Sequence, residues 1–147
     1  MRKIIFSVTA ILLTLTLLAA GCAASGGSSP TPAPAGDYSS LLANLRGEGA
    51  TVTEVGELEQ PFFAVPGKLI RVNEQDVQVF EYDSAAAAES AASQVSADGG
   101  TIGTTMVTWV APPHFYKAGK VIVLYVGSEQ AVRDLLGKIL GPQFAGR

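Results

Sequence analysis

The sequence predicts an α+β domain, a mainly antiparallel sheet with about three helices packed on it. Three observations lead there. Helix-start and helix-stop residues bracket three segments, at the beginning, middle and end of the folding region. Between them lie short β-rich runs whose connections are of hairpin length, which favours antiparallel pairing. One run, Val121-Ile122-Val123-Leu124-Tyr125-Val126, is apolar throughout and reads as the central strand, with Leu135, Leu136 and Ile139 expected to cover one of its faces.

Taken in order, Asp37 or Ser39 caps a short first helix with Leu41, Leu42 and Leu45 on one side, stopped at Gly47 and Gly49. Residues 50–58 form a strand broken at Gly56. Residues 62–65 and 68–72 flank Pro66-Gly67 as a tight turn, and residues 78–82 follow across a second turn at 73–76. Asp83 or Ser84 opens an alanine-rich helix that runs to about residue 97 and ends at Gly99-Gly100. Its stripe of Ala85, Ala88, Ala92 and Val95 is small enough to let the helix lie close on a sheet. Strands at 104–110 and 115–117 precede Ala118-Gly119 and the central strand at 120–126. Ser128 caps the third helix, with Val132, Leu135, Leu136, Ile139 and Leu140 facing inward and Gly141-Pro142 as the stop. Residues 61–70 match residues 113–122, with Pro, Phe, Gly, Lys and Ile coinciding. Duplication of an αββ unit accounts for the match, and so does recurrence of one hairpin chemistry.

The N-terminus carries an address. Arg2 and Lys3 precede an uncharged, mostly apolar run at 4–18, shorter than the roughly 20 residues a membrane-crossing helix needs. Small residues, Ala19-Ala20-Gly21, then lead into Cys22, which is the layout of a secretory signal peptide. Leu18-Ala19-Ala20-Gly21-Cys22 resembles the lipobox of bacterial lipoproteins, with Ala19 where the most frequent lipobox has Leu. The resemblance covers residues 1–22 alone. It implies cleavage before Cys22, acylation of that cysteine, and an exported protein anchored by lipid to the outer face of a bacterial membrane. Residues 23–36 contain only Ala, Gly, Ser, Thr and Pro and have nothing to bury, so they read as a tether. The expected division is a signal peptide at 1–21, the lipidated Cys22 with its tether at 22–36, and an α+β domain at 37–147.

Composition narrows the chemistry. With 48% hydrophobic and 16% charged residues the chain is not a self-repelling disordered polypeptide. The net charge is −3 and the basic residues are scattered, which argues against nucleic acid as a partner. Without Arg2 and Lys3, eight basic side chains face thirteen acidic ones, so anionic lipid is not an attraction either. One Cys and one His allow no internal disulfide and no standard zinc site, and no cofactor is expected. There is no Gly-x-Ser-x-Gly elbow. Gly47-Glu48-Gly49 has Val52 where a dinucleotide loop needs glycine, and Gly67-Lys68 lacks the rest of a P-loop. Glu57 and Glu59 read as a charged strand edge rather than as paired acids.

One stretch stands out, residues 109–116, where Pro112 and Pro113 hold the chain extended among Trp109, His114, Phe115 and Tyr116. Those four residues are the candidate binding patch, since large aromatics give contact area at low entropy cost. Their other reading is core that closes one end of the fold. Two functions follow. One is a non-enzymatic binding module of the cell envelope for a protein, peptide or envelope ligand. The other is a small hydrolase or lyase using His114 with a carboxylate, which requires His114 in a cleft with Asp or Glu in reach.

Overall fold

The computed structural model describes residues 35–147, and the expected signal peptide, Cys22 and most of the tether lie outside the described residues. The elements are α1 (Tyr38–Gly47), β1 (Val52–Leu58), β2 (Gly67–Val72), β3 (Gln75–Glu81), α2 (Ala85–Ala92), β4 (Thr101–Ile102), β5 (Thr105–Met106), β6 (Pro113–Ala118), β7 (Val121–Val126), α3 (Gln130–Leu140) and β8 (Ala145–Gly146). Six strands form one antiparallel sheet in the order β1-β2-β3-β7-β6-β8, and β4 and β5 make a separate small ribbon. This is the α+β class the sequence predicts.

β7 is interior, paired with β3 on one side and β6 on the other. Its side chains alternate as a strand requires. Val121, Val123 and Tyr125 join the core under α1 and α3, with Leu41, Leu45, Leu136 and Ile139. Ile122 and Leu124 join a second core on the opposite face, under α2, with Phe80, Ala88, Ala92 and Phe115. The sheet is therefore covered on both sides, which is why β7 carries no polar residue.

Local chemistry sets most of the boundaries. Asp37 and Ser40 form a reciprocal cap on α1: Ser40 N–H donates to Asp37 Oδ1 at 2.8 Å and Asp37 N–H to Ser40 Oγ at 3.0 Å. Ser84 caps α2 through the Ala87 N–H. Asn73 and Glu74 both take positive φ, 48° and 69°, in the two-residue turn that joins β2 to β3, a tighter hairpin than the four-residue turn expected. Gly119, at φ 52°, turns β6 into β7 where the Gly36 backbone presses against it; a Cβ there would meet Gly36 O at 2.4 Å.

Several expectations are corrected. Residues 62–65 are a turn, not a strand, because Pro61 and Pro66 bracket them and Phe63 turns down onto the Phe80 ring at 4.6 Å. β2 thus pairs with β1, not with that segment. The structure gives the two matched decapeptides different conformations, turn at 61–65 and strand at 113–117. α2 stops at Ala92, since Ser93 Oγ bonds back to Ser90 O and Val95 is drawn into a bridge with Ile102. Ala85 is exposed, so the packed part of its stripe is Ala88 and Ala92. Residues 104–110 pair only at Thr105 and Met106. The N-cap of α3 is Glu129 rather than Ser128, and the Tyr125 hydroxyl accepts its N–H at 3.1 Å. The edge of the domain also moves. Ala35 is fully buried and Gly36 O accepts from Lys120 N–H at 2.9 Å, so these two residues belong to the fold and not to a free tether.

Candidate functional site

β6 alternates its side chains like any strand, and that divides the patch expected from the sequence. His114 and Tyr116 point to the α3 side and Phe115 to the α2 side. His114 is 1% exposed and stacks on Tyr125 at 5.9 Å. Its Nε2 lies 3.0 Å from Gly127 O and its Nδ1 2.7 Å from the Gln143 side-chain amide. Neither partner is a carboxylate, and the ring opens into no cleft. Tyr116, 3% exposed, points its hydroxyl at Arg133 O, and burial raises its pKa. Phe115 is fully buried. These three are core.

Trp109 is different. It is half-buried on the α2 side, held by its indole N–H donating to Gly99 O at 2.7 Å. Its ring meets Phe115 and Phe62 edge-on, each at 5.9 Å. A shallow cavity of about 370 Å³ lies beside it, bounded by Val107, Pro112, Pro113 and Arg147. Val110 next to it is 99% exposed.

Through Phe62, Trp109 borders a larger feature that the sequence reading does not contain. A groove of about 490 Å³ runs between the 59–66 loop and α2, walled by Phe62 and Phe63 on one side and Ala87 and Ala91 on the other, with Ser90 and Gln94 at its rim. Its lining holds no charged residue. Tyr82 also lines it, from the residue after β3, and is 6% exposed. The Tyr82 hydroxyl is closed to solvent and has no hydrogen-bond partner among the described residues. Such a group costs about 1–3 kcal/mol relative to a paired one. Burial pushes its pKa up to about 12, so it stays a neutral donor.

Two signals in the sequence could have drawn attention to this groove. One is the Phe62-Phe63 pair between two prolines, and the other is the alanine face of α2 beyond the buried stripe. Neither reveals that the two come together. Among the described residues no group of three His, Cys, Asp or Glu could hold a metal ion. None of the family models, curated proteins or solved structures compared with this chain matches it.

Proposed function

We propose that the protein is an exported lipoprotein, held to the outer face of a bacterial membrane by acyl chains on Cys22, and that its domain is a non-enzymatic binding module of the cell envelope. The observation that supports the binding role is the uncharged aromatic surface on the α2 side, where half-buried Phe62 and Trp109 border an open groove. Aromatic side chains with one face still free are the usual anchors of recognition. The hydrolase or lyase reading depended on His114 and a carboxylate, and His114 is enclosed with an amide and a carbonyl as partners.

Mass spectrometry of the mature protein should find an N-terminal, lipidated Cys22, and Cys22→Ser should release or misprocess the chain. A photo-crosslinking residue at Ser90, on the groove rim, should capture an envelope component in living cells. The same residue at Asp134, exposed on α3 across the sheet, should not. An intact Met1 on the membrane-held protein would defeat the anchor, and equal capture from both positions would defeat the binding face.

A further inference from the structure

We propose that the groove between α2 and the 59–66 loop takes a neutral, mainly apolar small molecule bearing one hydrogen-bond acceptor, which the Tyr82 hydroxyl meets. The inference rests on the domain being a binding module and adds the class of ligand. Apolar surface alone would not specify it. The second observation is Tyr82, a residue of that groove's lining whose buried hydroxyl has no acceptor among the described residues. Native proteins rarely leave such a group unpaired, and a ligand oxygen is the partner this one lacks.

The lining selects the rest of the ligand. With no charged side chain against the groove, a charged molecule would surrender hydration and gain no counter-charge. Phe62 and Phe63 offer ring faces and edges, and Ala87 and Ala91 leave the room opposite them. The volume, about 490 Å³, lies in the range of small-molecule sites. Ser90 and Gln94 at the exposed rim can serve a polar end that stays in water. The hydroxyl is closed to solvent, so a ligand in the groove would reach it by displacing part of the wall. The 59–66 loop is outside the sheet ladder, so Phe62 can shift without breaking strand pairing. Burial also keeps the Tyr82 proton in place well beyond neutral pH, leaving the group a donor under all ordinary conditions.

Trp109 is the single tryptophan and its ring touches Phe62, so it reports on the groove from its border. The test uses the full chain in lipid nanodiscs and the neutral naphthyl ketone Prodan, read by energy transfer from Trp109. Saturable binding is expected, with 6-propyl-2-(dimethylamino)naphthalene, which has a methylene in place of the carbonyl, about tenfold weaker as a competitor. Tyr82→Phe should bind Prodan about tenfold more weakly while the propyl analogue competes as before. Ala91→Leu should fill the groove and abolish the saturable signal, leaving only probe dissolved in lipid; Ala87→Leu replaces it if that variant does not fold. The proposal is overturned if Tyr82→Phe binds the ketone like the unaltered protein. It is equally overturned if naphthalene-2-sulfonate competes as well as the neutral compounds, or if neither leucine variant changes the signal. Absence of probe binding with persistent crosslinks from Ser90 would sink this ligand class and leave the binding module standing. Loss of both would sink the two together.

Discussion

The hydroxyl of Tyr82 is buried without a partner among the described residues, so replacing it with hydrogen removes a desolvation cost and leaves a gap of one oxygen atom. Tyr82→Phe should therefore raise unfolding stability by about 1 kcal/mol, measured by urea denaturation in the absence of ligand. A residue whose removal stabilises the empty protein and weakens ligand capture is serving the ligand. The same burial has a pH signature. Tyr82 and Tyr38 are both raised to about 12, in each case first by burial, and Tyr38 further by its bond to the Glu54 carboxylate. A raised folded value means the associated stability is whole below the unfolded value of about 10 and is lost as pH climbs toward 12. Denaturation across that window should show a decline, smaller in Tyr82→Phe. His114 makes the opposite case. His114→Ala leaves the Gly127 carbonyl and the Gln143 amide unpaired, which should cost about 1–3 kcal/mol before any cavity is counted. Capture at the α2 face should survive wherever the protein stays folded, because the imidazole lies on the other side of the sheet.

At the level of elements, β7 was legible because a strand covered on both faces must be apolar at every position, and only one run has that property. Leu124 and Leu136 test it. Both are fully buried, one in the core under α2 and the other in the core under α3. Each truncation to Ala should cost about 2–5 kcal/mol. Because the sheet separates them, the double variant should cost the sum of the two, and a large departure from additivity in denaturation midpoints would mean that the cores are one. The segments at 62–65 and 104–110 were not legible, although both are β-rich. Phe63 is held by Phe80, and Trp109 by Gly99, Phe62 and Phe115, contacts that no local window contains. β8 is two residues long and exists only because β6 offers an edge.

Over the whole molecule, the legible part was the α+β layering, and the candidate site was mostly not. Four neighbouring residues suggest one patch, but strand alternation sends His114 and Tyr116 to the α3 side, Phe115 is fully buried on the α2 side, and only Trp109, ahead of the strand, borders the groove. The 59–66 loop forms one wall of the groove, and Tyr82 with the α2 segment, further along the chain, forms the rest. The start of the domain is hidden for a similar reason. Ala35 has a tether's composition, yet its burial depends on the fold around it. Removing residues 35–37 should lower the melting temperature, through loss of Ala35, the Gly36–Lys120 bond and the Asp37 cap. Part of that loss is acid-sensitive. The Ser40 backbone N–H holds the Asp37 carboxyl below its usual value, so its contribution stands at neutral pH and fades only as pH drops through that lowered value.

The joint between Gly36 and Gly119 also fixes where mechanical load would enter. A pull on an N-terminal anchor would reach the domain at Ala35 and Gly36, beside the β6–β7 turn, and pass next into α1. α1 is the first element among the described residues and lies on the face away from the groove. Under tension it should peel away first, while β7, clamped between β3 and β6, stays zipped. The aromatic groove draws its walls from Tyr82, α2 and the 59–66 loop, so it would keep its grip through that first yield and α1 would act as a fuse.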